Sequence, residues 1–153
     1  MKRVLGIALL GALFPVGFIY PQEEAVKKEQ KKLQGDWQIV QSEEDGTPTA
    51  DFIVQNLKIT IKGNQLTLKG VEDLMERFGK VTFTVDPSTK PKIMDFKVVA
   101  GKDKDNRHDG IYEWKDKQLT ICVTTANGGD RPNEFKTQAG SNRLLVTLKR
   151  AKR

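Results

Sequence analysis

The sequence has 153 residues, a formal net charge of +6 at neutral pH, one cysteine and one histidine. This length suits one domain, and a lone cysteine excludes an internal disulfide, so a packed core must hold the fold. The basic residues are dispersed, which favours a solvated surface over a nucleic-acid footprint. Metal and haem sites need more ligands than one cysteine and one histidine. A Cys-His catalytic pair would require Cys122 and His108 to meet, but His108 falls in an open-end loop and Cys122 on the outer face of a strand. We therefore expect no enzyme, no metal site and no cofactor.

Residues 1–21 are typical of a secretory signal peptide. Met1-Lys2-Arg3 is positively charged, and the apolar run that follows carries no charge up to Pro21. Small residues are missing before a cleavage point, so an uncleaved N-terminal anchor stays open as an alternative. Either way we expect an exported protein, periplasmic, cell-surface or secreted, that meets a membrane only through this segment if it is uncleaved.

Residues 22–34 are rich in Glu, Lys and Gln and predict a charged, solvated linker that winds into a short helix. From residue 35 to residue 153 the apolar residues recur with a period of two. Short alternating segments of this kind predict an all-β fold of antiparallel strands. Eight strands are predicted, over residues 37–42, 57–62, 65–69, 80–86, 92–99, 110–114, 118–124 and 144–150.

The lengths of the connections predict a barrel with two different ends. In a mainly up-and-down meander, the short turns near residues 63–64, 87–91 and 115–117 all fall at one end. The longer connections collect at the other end and form an open mouth. Eight strands leave an interior that is either filled by side chains or holds one small ligand.

Gly35-Asp36-Trp37 at the head of the first strand resembles the G-x-W signature of lipocalins and their calycin relatives. Lipocalins set a basic residue from the last strand against that tryptophan. Arg150 occupies the corresponding place here, so the resemblance implies a cation–π contact between Trp37 and Arg150 at the closed end.

Over most of the chain after the N-terminal segment, the sequence is similar to a planctomycete family of uncharacterised, mostly exported lipocalin-like domains. The resemblance implies a lipocalin-like barrel and export, and it implies no particular activity. The sequence lacks the disulfide of secreted lipocalins and a long helix after the barrel. The residues that carry the similarity are Leu33 to Trp37, Asp86-Pro87, Lys90-Pro91-Lys92, Asp95, Gly110 to Glu113, Leu119 to Cys122, Arg131-Pro132, Glu134-Phe135 and Leu145 to Arg150.

Two functions are compatible with this sequence. The leading hypothesis is a binding module for a small apolar molecule that enters at the mouth; the alternative is a structural or protein-interaction domain of the cell envelope with a filled barrel. Arg131, in the longest mouth loop, could meet an anionic group or pair with a carboxylate such as Glu113. The candidate ligand-binding residues are Met75, Phe78, Phe83, Tyr112, Arg131 and Phe135.

Overall fold

The structure, a computed structural model, describes residues 21–152, so the predicted signal segment or anchor lies outside the described residues except for Pro21. Within this range the chain forms three helices and ten strands. The helices are α1 (Pro21–Leu33), α2 (Asp51–Asn56) and α3 (Glu72–Arg77). The strands are β1 (Gly35–Glu44), β2 (Thr47–Pro48), β3 (Lys58–Lys62), β4 (Gln65–Lys69), β5 (Lys80–Asp86), β6 (Lys92–Ala100), β7 (Arg107–His108), β8 (Gly110–Lys115), β9 (Gln118–Thr124) and β10 (Arg143–Arg150).

The eight longer strands form a closed antiparallel barrel, which confirms the predicted fold class. Their order is β10-β9-β8-β6-β5-β4-β3-β1, and β1 pairs with β10 to complete the circle. The two-residue strands β2 and β7 add to the margins of β1 and β6. The β8–β9 connection is a tight hairpin in which Asp116 and Lys117 both have positive φ, as two-residue turns between twisted strands require.

The barrel closes where the first strand meets the last. Trp37 lies opposite Arg150 in the register, and the guanidinium carbon of Arg150 is 4.1 Å from the centroid of the Trp37 ring. The same guanidinium donates hydrogen bonds to the carbonyl oxygens of Lys32 and Gln34. Gly35 has a φ of +112°, and a Cβ atom there would lie 2.8 Å from the Arg150 Nη1. The absence of a side chain at Gly35 therefore leaves room for the guanidinium of Arg150.

Helix α1 confirms the short helix predicted within residues 22–34, but the segment also packs on the closed end, which a solvated linker would not do. Leu33 is fully buried and Glu29 is only 6% exposed. The Glu29 carboxylate accepts hydrogen bonds from Trp114 Nε1 at 3.0 Å, Lys92 Nζ at 3.0 Å and Tyr112 Oη at 3.2 Å. Because a buried carboxylate is costly unless it is paired, these three donors are what allow a charged helix to lie against the core.

The core follows the predicted alternation and fills the closed half of the barrel. In β6, Met94 and Val98 point inward. In β8, Tyr112 belongs to the central cluster, whereas the buried Ile111 faces the outer wall. The largest fully buried side chains of the central cluster are Trp37, Tyr112, Phe83, Leu33, Met94, Leu119 and Leu148.

Replacing Arg150 with alanine should destabilise the protein by about 1 to 3 kcal/mol. The change removes a cation–π contact and charge-assisted hydrogen bonds to two helix-end carbonyls. Chemical denaturation monitored by tryptophan fluorescence measures the loss. Lys149→Ala, next to it on the same strand and equally exposed to solvent, is the matched control, and an equal effect of both changes would contradict this role of Arg150.

Replacing Glu29 with glutamine should remove part of the acid sensitivity of the fold. Burial raises the pKa of Glu29, but hydrogen bonds from Trp114 and Lys92 and the charges of Lys92 and Lys32 outweigh it, so the pKa lies below its ordinary value. A carboxyl with a depressed folded-state pKa contributes stability above its ordinary pKa of 4.5 and loses it as the pH falls through the folded value.

The free energy of unfolding of the unaltered protein should therefore drop more steeply below about pH 4.5 than that of the E29Q variant. At pH 7 the variant should be less stable by about 1 to 3 kcal/mol, since the amide carries no charge for Lys92. Glu113→Gln, at an exposed position of β8, serves as the control. Parallel pH profiles for the unaltered protein and E29Q would refute the assignment.

Candidate functional site

The barrel contains a cavity of about 190 Å³ in the half that faces the open end. Its wall is almost entirely apolar, and its polar members are His108, Thr124 and Thr125. The remaining lining residues are Ile59, Leu66, Leu68, Phe78, Val81, Phe96, Val98, Ile121, Val123, Leu144, Val146 and Leu148. The interior of this barrel is therefore hollow above a packed base.

The cavity is enclosed at its inner end and partly accessible at its outer end. Ile59 and Leu148 at the inner end are both buried. Phe78 and Leu144 near the open end are half-buried. This gradient of exposure places the entrance among the long connections, opposite to Trp37.

Helix α3 stands at the entrance and is fastened to the β6–β7 connection. The backbone amides of Lys102 and Asp103 donate to the carbonyl oxygens of Glu76 and Arg77, at 2.8 and 3.1 Å. Arg77 and Asp103 also form an ion pair at 2.9 Å. Leu74 and Phe78 pack inward against the core, whereas the Met75 side chain points outward and the residue is 41% exposed.

His108 is one of three polar residues of the cavity wall, none of which was predicted from the sequence. It lies in β7 opposite Phe96, and this pairing directs its ring toward the barrel interior. Its Nδ1 is 3.1 Å from the carbonyl oxygen of Thr124, and its ring centroid is 6.3 Å from that of Phe78. The sequence gives little indication that His108 faces the interior, because β7 has only two residues and follows a highly charged turn.

Of the six candidate ligand-binding residues, only Phe78 lines this cavity. Phe83 is buried in the core below it, and Tyr112 is fully buried at the closed end, where its hydroxyl donates to Glu29. Burial and Glu29 raise the pKa of Tyr112 far above its ordinary value, which keeps the phenol neutral. Met75 faces solvent on α3, and Phe135 is half-buried in the β9–β10 connection.

Arg131 lies on the outer wall, so the expectation that it stands at the mouth is wrong. It forms a two-pronged ion pair with Asp95 of β6, and its Nη2 is 3.2 Å from Asp109. Its Nη1 also donates to the carbonyl oxygen of Gly110 at 3.0 Å. The hydrogen bond from Arg131 to Asp95 raises the pKa of the arginine. The carboxylate partner is Asp95 instead of Glu113, because the connection folds back along β6 and β8.

A small apolar cluster under the same connection explains the buried cysteine. Ile111, Cys122 and Pro132 are almost fully buried on the outer face, and the Cys122 Sγ is 3.8 Å from the carbonyl oxygen of Lys136. Burial raises the pKa of the Cys122 thiol. Cys122 points outward from β9 while His108 lines the interior, so the barrel wall lies between them.

Within residues 21–152, no three His, Cys, Asp or Glu side chains converge in a way that could hold a metal ion. In the same range no helix has the length and apolar character needed to span a bilayer. Comparison with family models, with curated proteins and with solved structures gives no match to this chain.

Replacing Arg131 with alanine should loosen the β9–β10 connection without altering the barrel interior. The change removes charge-assisted bonds to Asp95 and Asp109, which is worth about 1 to 3 kcal/mol for a partly buried group. Amide hydrogen exchange should accelerate over residues 125–142 and remain unchanged in β3 and β4. Arg107→Ala, at an exposed arginine near the same end, is the control. Unchanged exchange over residues 125–142 in R131A would disprove the anchoring role.

Proposed function

We propose that this protein binds a small apolar molecule in the cavity of its barrel. The observation that carries the proposal is the cavity of about 190 Å³ with its almost continuous aliphatic and aromatic wall. Small-molecule sites are typically concave, preformed and lined mainly by apolar side chains with a few placed polar groups. The entrance at the loop-rich end gives such a molecule a way in.

The volume sets the size of the ligand. An apolar cavity of about 150 Å³ stays dry and takes up benzene. Drug-sized ligands need about 300 Å³ or more. We therefore propose a ligand of roughly one substituted aromatic ring or a short branched hydrocarbon, well below the size of a long-chain lipid.

The proposal is of binding without catalysis, outside the cytoplasm. Cys122 and His108 lie on opposite faces of the barrel wall, which gives a nucleophile no base. The exported location rests on the positively charged and apolar pattern of residues 1–21. The alternative, an envelope interaction domain with a filled barrel, has less support because the barrel holds this cavity.

Benzene tests the proposal directly. Added at ten times its dissociation constant, it should raise the free energy of unfolding by about 1.4 kcal/mol. Titration followed by methyl NMR should move signals of wall residues such as Ile59 and Val146. If benzene neither stabilises the protein nor moves these signals, the proposed function is wrong.

A matched pair of variants on β10 locates the site. Val146→Phe places a phenyl ring in the cavity. Thr147→Phe places the same ring on the outer face of the barrel, at the next position of β10. Benzene binding should be lost in V146F and retained in T147F, and thermal unfolding of both variants confirms that they are folded. Equal binding by the two variants would place the benzene elsewhere.

A further inference from the structure

We infer that the ligand carries a hydrogen-bond donor, such as a hydroxyl group, which is received by Nε2 of His108. This inference deepens the proposed function and rests on it. Among the residues that the structure describes, Nε2 of His108 is the one buried side-chain nitrogen or oxygen without a hydrogen-bond partner. It belongs to a side chain of the cavity wall.

The contact to Thr124 determines what this nitrogen can do. A carbonyl oxygen only accepts hydrogen bonds, so the Nδ1 that lies 3.1 Å from the Thr124 oxygen must carry the proton. In the neutral ring the other nitrogen then presents a lone pair and acts as an acceptor. A ligand that satisfies it must supply an N–H or O–H group.

The polar lining of the cavity is confined to one region. His108, Thr124 and Thr125 lie together near the open end, whereas the inner wall around Ile59, Leu66 and Leu148 is aliphatic. The exposed surface of the cavity is almost entirely carbon, so a molecule that fits it is apolar along its body and carries at most one polar group, at the end beside His108. Its donor group would face the entrance and its apolar body would point to the closed end.

The energetic reason for a donor is the cost of a buried acceptor that stays unpaired. Leaving a buried polar group without a partner is costly, and a ligand that supplies the missing donor recovers this cost. Because Nε2 is itself buried, the donor reaches it through a small displacement of the imidazole or of Phe78, which packs edge-on against it. The gain should appear as a preference for hydroxyl over methyl at that end of the ligand.

p-Cresol and p-xylene form a probe pair that isolates this contact. They differ by one hydroxyl in place of one methyl group, and both are slightly larger than benzene, as the cavity volume allows. Affinities are measured by calorimetry for the unaltered protein and for the H108N and H108Q variants. Asn can keep a donor toward Thr124 but lacks an acceptor at the Nε2 position, whereas Gln extends its amide to that position.

The ratio of the p-cresol affinity to the p-xylene affinity is the decisive quantity, because it cancels the general effect of each variant on the cavity. It should fall about threefold to tenfold in H108N and be largely restored in H108Q. His108 is the only histidine of the sequence, so its ring ¹⁵N signals are assigned without ambiguity. In the unaltered protein, p-cresol should shift the Nε2 resonance and p-xylene should not.

The outcomes separate this inference from the proposed function. If both probes bind, with the same affinity ratio in all three proteins and no selective Nε2 shift, the donor inference fails and apolar binding stands. If neither probe binds the unaltered protein, the proposed function fails and the inference with it. A selective Nε2 shift together with loss of the ratio in H108N supports the inference, even if H108Q folds poorly.

Discussion

The closure of β1 against β10 is the constraint on which the rest of the structure depends. Arg150 lies over the Trp37 ring and at the same time binds the carbonyl oxygens of Lys32 and Gln34, so one side chain joins the last strand, the first strand and the end of α1. Helix carbonyls at a C-terminus have no partners within the helix, and a guanidinium satisfies two of them. Once this junction is made, the base of the barrel is packed, and the cavity lies in the opposite half.

The residues that carry the resemblance to lipocalin-like domains do structural work in this molecule. Asp95 and Arg131 hold a connection on the outer wall, and Lys92 and Tyr112 hold the helix at the base. The cavity wall takes Ile121, Val146 and Leu148 from these segments, but most of its other lining residues lie outside them. That part of the wall can change without disturbing the junctions, so barrels that share these segments can bind different molecules.

The sequence predicts the barrel well because strand alternation is a local signal. Each predicted strand agrees with an observed one to within one or two residues, and the two faces of β3 or β5 follow directly from the pattern. The packing of α1 could not be predicted in this way, because the partners of Glu29 come from β6 and β8, far along the chain. The cavity could not be predicted for another reason. The same apolar residues can fill a barrel or line an empty one, and which occurs depends on how closely their side chains pack in three dimensions. The inward position of His108 could not be predicted, because it depends on the pairing of β7 with β6, which places His108 opposite Phe96.

Helix α1 also makes the two ends of the barrel different. It lies on the base of the barrel, held through Glu29 and Leu33, so the polypeptide arrives at the barrel from the side opposite to the entrance. The helix therefore covers the base of the barrel and leaves the entrance at the opposite end uncovered.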